Sequence, residues 1–168
     1  TGKVVMSLDV GESVRPIVLD EPRGLIYYQL SRLHGFEVRR ISDGSFVRRI
    51  ELPALDKPIG PADGDLAARL ANLEGAAAWP YTYNHGLSMT RDGRHLVAVA
   101  TAANYAAIYA LPDFTLKGIV PVGGSPNWVT CDPEGRFAYV SNPKDDSVSV
   151  IEIDAVREVA RIKVGRGP

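Results

Sequence analysis

The chain has 168 residues, with 19 basic against 20 acidic side chains and a formal net charge of −1. Together with 45% hydrophobic and 23% charged residues, that balance is typical of a folded domain and argues against a disordered tail or a polycation that coats nucleic acid. A chain this long buries roughly 70% of its unfolded surface and needs no disulfides. Its 16 glycines and 12 prolines point to many turns between short strands, and no run approaches the ~18 apolar residues of a helical membrane span.

In chain order, Val4–Val10 followed by Gly11 has the character of an outer strand. Pro16–Leu19, the turn Glu21-Pro22-Arg23-Gly24, Leu25–Leu30, Gly35–Ile41 and Val47–Leu52 then form a set of four short strands closed by Pro53. Gly11 and Pro53 are 42 residues apart. A second set begins at His85-Gly86-Leu87-Ser88-Met89-Thr90, turns at Arg91-Asp92-Gly93-Arg94, and continues through His95–Val99, Tyr105–Ala110 and Leu116–Val122. A third follows the same grammar, with Asn127–Cys131, the turn Asp132-Pro133-Glu134-Gly135, Phe137–Ser141, Ser147–Ile153 and Glu158–Val164. Gly93 and Gly135 are again 42 apart, as are Gly123 and Gly165. In Ser147–Ile153 the valines at 148 and 150 alternate with Ser147 and Ser149, which predicts buried valines and outward serines.

The interval from Pro53 to Gly123 is 70 residues, so the second set carries about 28 extra residues within 54–83. There Leu66, Leu70 and Leu73, ahead of Gly75, predict a short helix, and Trp79-Pro80-Tyr81-Thr82-Tyr83 places three aromatics before His85. Four antiparallel strands repeating at about 42 residues are the unit of a β-propeller blade. The predicted fold is all-β: a propeller segment of four-stranded antiparallel blades with one short helical insertion. Its divisions are 1–11, the outer strand of a preceding blade; 12–53, a blade; 54–123, a blade with the insertion 54–83; and 124–168, a third blade. Thr1 in place of Met and the turn-like ending Gly165–Pro168 fit an internal piece of a six- or seven-bladed ring.

Phe137-Ala138-Tyr139-Val140-Ser141-Asn142, then Asp146–Ile153 and Val159–Pro168, resemble the bacterial YVTN repeat. The similarity is strong over 84–168 and weaker over 1–53. It departs at Ser141, where the repeat has threonine, and over Val97–Thr101, which lacks the tyrosine and asparagine. The resemblance implies a propeller in the periplasm or at the cell surface. The repeat residues themselves pack and turn the blade and carry no chemistry.

In a four-strand meander the loops alternate between two rims. One rim collects Leu33 and His34, the loop Pro143–Asp146, the approaches at Arg15, Asn84-His85 and Asn127-Trp128, and all of 54–83. Propeller ligands usually enter on that side, by analogy of fold. The candidate ligand-binding residues are Arg15, His34, Trp79, Tyr83, His85, Asn127 and Trp128, with Arg15, His85 and Asn127 at equivalent positions around the channel entrance. His85 and His95 fall at opposite ends of a hairpin, roughly 17 Å apart, and cannot share a metal. No carboxylate stands at metal-ligand spacing from His34 or His85. Asp145-Asp146 reads as a solvated turn, and lone Cys131 as a small packed side chain. No phosphate-binding glycine loop, nucleophile elbow, haem-attachment or zinc signature occurs.

These observations predict a non-catalytic binding or scaffold propeller with no cofactor, no metal and no catalytic residue. Its partner would be an unidentified small ligand or protein, not nucleic acid or a membrane. The alternative is a propeller enzyme, either a haem- or quinone-linked oxidoreductase subunit or a lactonase-like hydrolase, in which His34, His85 or Tyr83 would be the candidate haem ligands.

Overall fold

The computed structural model describes residues 2–11, 13–55 and 82–168; the predicted helix and Trp79 lie outside them. Twelve strands form three four-stranded antiparallel sheets, each in sequential order. Blade 1 is β1 (Val14–Asp20), β2 (Leu25–Leu30), β3 (Gly35–Arg40) and β4 (Phe46–Glu51). Blade 2 is β5 (Gly86–Met89), β6 (His95–Ala100), β7 (Tyr105–Ala110) and β8 (Thr115–Pro121). Blade 3 is β9 (Val129–Cys131), β10 (Phe137–Asn142), β11 (Ser147–Glu152) and β12 (Arg157–Lys163). The chain is all-β and propeller-like, as the period of 42 predicts.

The sheets stack face on face. Blade 1 turns Tyr27, Phe36, Val38 and Ile50 toward Leu87, Leu96, Ala98 and Ala107 of blade 2. The other face of blade 2, with Val97, Val99, Ala106, Ile108 and Val120, packs on Val129, Ala138, Val140, Ile151 and Ile153 of blade 3. Blade 2 is thus covered on both sides, and all six residues of β6 are buried. That explains why β6 and β7 are continuously apolar or small rather than alternating. Alanines on these strands let neighbouring sheets approach while keeping the interior close-packed.

On β11 Val150 is buried as expected, but the two serines and Val148 are placed opposite to expectation. Ser147 and Ser149 are fully buried, facing blade 2, and both accept hydrogen bonds from Asn142 Nδ2, at 3.2 and 2.9 Å. Val148 points to the other face and is only half-buried. Alternation gives the period of a strand but not the burial of each face when both faces are packing surfaces. Val4–Val10 also departs from expectation. It is not a strand and joins none of the three sheets, and Val4 and Val5 are 83% and 97% exposed. A strand needs a partner to take its backbone groups, and the preceding blade to which an outer strand here would pair is not among the three sheets of the described residues.

The outer face of blade 3 is the repeat equivalent of faces that are covered in blades 1 and 2. Tyr139, Ser141, Val148 and Ile162 stand 42 residues after Val97, Val99, Ala106 and Val120. The earlier set is buried, whereas Tyr139 is 37% and Ile162 50% exposed. A groove of about 360 Å³ opens there, lined by Trp128, Val129, Thr130, Tyr139, Ser141 and Val148. The outer face of blade 1 differs in being polar. Tyr28 donates to Glu37 at 2.7 Å, and Arg49 chelates the same carboxylate.

Polar side chains pin the blades together. The fully buried Gln29 accepts from Gly86 N at 2.8 Å and donates to Val99 O at 3.4 Å. Asn84 makes a two-point contact with the backbone of Gly35, at 3.0 and 3.2 Å. Asn104 accepts from Ser125 N at 2.9 Å. The approach at Gly86 tolerates no side chain, because a Cβ there would lie 2.6 Å from Asn127 O and 3.0 Å from Val99. Gly86→Ala is therefore expected to destabilise the protein by about 1–3 kcal/mol in chemical denaturation. Gly165→Ala, with nothing within 4 Å of the added carbon, is expected to stay within about 0.5 kcal/mol of the parent. Equal effects at the two glycines would contradict this packing account.

Candidate functional site

The inner strands β1, β5 and β9 are the scaffold of the site. Their hairpin registers coincide: Asp20 pairs with Leu25, Thr90 N bonds His95 O, and Asp132 N bonds Phe137 O. Arg15, His85 and Asn127 each lie five residues before Asp20, Thr90 and Asp132, toward the opposite ends of the three strands. The one-residue ambiguity that sequence reasoning leaves in blade 1 has a structural cause: β1 bulges between Val14 and Ile17, so Val14, not Arg15, pairs with Leu30.

At the other end of the same strands Asp20, Thr90 and Asp132 share one structural task. Thr90 Oγ1 accepts from His95 N at 3.0 Å and Asp132 Oδ1 from Phe137 N at 2.9 Å. Asp20 receives Arg23 Nη1 at 2.8 Å and the Tyr27 hydroxyl, while Arg23 Nη2 donates to Gly93 O at 3.1 Å. These side chains close turns and tie blade 1 to blade 2, which is why an acid or hydroxyl recurs there.

No such shared task unites the opposite mouth. Arg15 is 9% exposed, and burial lowers its pKa. The His85 ring meets the edge of Trp128 with centroids 4.8 Å apart at 83°, a favourable T-shaped contact. Its Nδ1 is shut off from solvent and has no hydrogen-bond partner among the described residues. Burial first and the Arg15 charge next hold the His85 pKa below that of an ordinary histidine. Trp128, 55% exposed, stands between this mouth and the groove on blade 3.

His34 and Tyr83 form a second group on the same rim. The Tyr105 hydroxyl donates to Pro53 O at 2.6 Å and accepts from His34 Nε2 at 3.0 Å, which fixes the protonated nitrogen of His34. Tyr83 packs edge-on against His34 with centroids 6.3 Å apart, and its backbone bridges Ser31 O and Ala102 N. His34 and Tyr83 thus brace the exit of blade 1 against blade 2. The structure brings His85 and Trp128 into ring contact and gives His34 and Tyr83 a bracing position.

Several other side chains take their roles from tertiary contacts. Asp145 is more than a solvated turn residue. It accepts from Gly124 N at 2.7 Å and lies 3.7 Å from Arg161, holding the entry to blade 3. Cys131 is half-buried, and burial pushes its thiol pKa up, the opposite of an activated nucleophile. Gln29, Asn84 and Asn104 were not foreseen, because an amide that bonds backbone of another blade leaves no local sequence pattern. Among the described residues no group of three or more His, Cys, Asp or Glu is arranged to hold a metal ion, and no helix is long and apolar enough to cross a membrane.

All three histidines of the chain, His34, His85 and His95, have pKa values lowered, in each case by burial first. Each binds its proton more weakly folded than unfolded. The stability this confers is complete above about pH 6.5 and is lost as pH falls toward the folded values. Urea midpoints should therefore fall between pH 7 and pH 5, by at most about 1.4 kcal/mol per pH unit per histidine. His34→Gln, which keeps a donor near Tyr105, should flatten that slope; a slope unchanged by the substitution would contradict the assignment.

No family model matches the chain. Among solved structures it is similar to a chain of hydrazine synthase from Kuenenia stuttgartiensis, with a TM-score of 0.68 and 12% sequence identity, over 96% of this chain and 41% of that chain. At that identity the likeness shows the fold alone. The present chain spans about two-fifths of the length of the protein it matches.

Proposed function

We propose that the protein is a non-catalytic propeller-type binding module whose ligand or partner docks at the rim that carries 54–83. One observation carries this reading. The inner-strand ends on one rim have a common turn-closing chemistry, whereas the opposite ends carry the differing side chains Arg15, His85 and Asn127, with an exposed tryptophan beside His85. In a repeat, positions that serve packing converge on one residue type, and positions that serve recognition diverge. The non-catalytic part is supported by His34 and His95, whose Nε2 atoms bond Tyr105 and Lys117 at 3.0 and 3.2 Å. Export to the periplasm or cell surface belongs to the same proposal and rests on the YVTN-like residues of blade 3.

The proposal includes a ring of more than three blades. It is supported by the exposed outer face of blade 3, whose equivalents in blades 1 and 2 are buried under the next sheet. A further blade of the same repeat is the occupant that equivalence implies.

A ligand at about 100 times its Kd adds about 2.7 kcal/mol of stability, a rise of roughly 5–10 °C in Tm for a domain of this size. A thermal-shift screen of small molecules should yield ligands that stabilise the protein but not Trp128→Ala or His85→Ala. Cofactor absorbance in the purified protein, or lactone turnover abolished in His85→Ala, would establish the enzyme alternative instead. For the ring, Ile162→Lys should cost well over 1 kcal/mol if another blade covers it; a change within about 0.5 kcal/mol would mark a solvent-facing surface.

A further inference from the structure

His95 opens β6 on the turn-closing rim, with its side chain only 8% exposed. We propose that His95, Lys117 and Asp154 form a proton-operated switch between blades 2 and 3: on taking up a proton, His95 gives up Lys117 as its hydrogen-bond partner and takes Asp154 instead. The switch stands apart from whatever docks at the other rim.

Its two blade 2 members occupy repeat positions that are apolar in the other blades. His95 stands where blade 1 has Leu25 and blade 3 has Phe137, each opposite the residue that closes the first hairpin. Lys117 is the bulge residue of β8, left without a ladder partner between the pairs Ile108–Gly118 and Tyr109–Leu116. The corresponding bulges of β4 and β12 fall at Val47 and Val159. A bulge re-aims its side chain, and in blade 2 it brings a lysine against a histidine. The two positions depart from the repeat together, in one blade.

The hydrogen bonds fix where the ring proton sits. Lys117 Nζ lies 3.2 Å from His95 Nε2 and donates at 3.0 Å to Asp154 Oδ1, on the β11–β12 turn of blade 3. A lysine ammonium has donors only, so His95 Nε2 accepts and the proton of the neutral ring is on Nδ1. That nitrogen is enclosed and has no partner among the described residues.

Protonation of Nε2 removes the acceptor. Two donors then face each other at 3.2 Å, and Lys117 swings away on its flexible four-carbon stem. Asp154 Oδ1 is already 3.7 Å from Nε2 and accepts from the new N–H after closing about 1 Å. Its side chain is 72% exposed, so little packing opposes that shift. The charged groups facing His95 among the described residues are Lys117 from β8, Asp154, and Asp92 and Arg94 from the β5–β6 turn. Asp92 and Arg94 pair with each other, which leaves Lys117 and Asp154 to decide between the two states. Burial first and the Lys117 charge next hold the His95 pKa below that of an ordinary histidine, so the exchange takes place on acidification below about pH 6.5.

The test is NMR of the His95 imidazole through a pH titration, with His95→Gln to assign the signal. The neutral ring is expected as the Nδ1-H tautomer. Lys117→Gln keeps a donor but removes the charge, and should tighten proton binding by His95 roughly fivefold. Asp154→Asn should weaken it by a similar factor, since a unit charge about 4 Å away acts on that scale even in water. Asp154→Asn alters only an exposed side chain and decides the matter alone should Lys117→Gln fail to fold. A neutral Nε2-H tautomer would overturn the switch, as would an Asp154→Asn protein whose His95 titrates as in the parent. A shift in Lys117→Gln alone marks a fixed repulsion without exchange of partners, and overturns it as well.

Discussion

A four-stranded sheet about 42 residues long cannot bury both of its faces by itself, and the rest of this protein follows from that constraint. Each blade is stable only with another sheet laid against it. Blade 2 meets the condition fully, which is why its central strands are nearly all valine, alanine, leucine and tyrosine without polar alternation. Blades 1 and 3 meet it on one face each. Their outer faces show two different chemistries, a Tyr28–Glu37–Arg49 cluster on blade 1 and the apolar Tyr139–Val148–Ile162 surface on blade 3.

Face-to-face packing of flat apolar sheets does not by itself set how far one blade slides along the next. Directional contacts set it here. Gln29 reaches both Gly86 and Val99, Asn84 grips Gly35, and Asn104 holds Ser125. Each joins a side chain of one blade or its connection to backbone of a neighbour, so a slide of one residue would leave buried amides unpaired, at about 1–3 kcal/mol each. The glycines at 35 and 86 belong to the same arrangement, since a side chain at either would press on nearby backbone. These pins hold the inner strands of neighbouring blades side by side.

The two rims consequently divide their work. On one, Asp20, Thr90 and Asp132 close hairpins, and Arg23 carries the bond across to the next blade. On the other, the His34–Tyr105–Pro53 chain braces the connection out of blade 1.

Spacing of glycines and turn residues determined the architecture from the sequence alone: the period of 42, twelve strands in three sets, and the mouth positions to within one residue all come from local turn chemistry and periodicity. Tertiary structure decided which face of each strand is covered, as Ser147 and Ser149 show by turning inward where their alternation with valine indicated the reverse. It decided that Val4–Val10 has no ladder, because a strand is defined by a partner and not by its own residues. It also decided the amide pins and the bracing role of His34. Strand periodicity is a property of neighbours in the chain, whereas burial, pairing and the state of a histidine depend on neighbours in space.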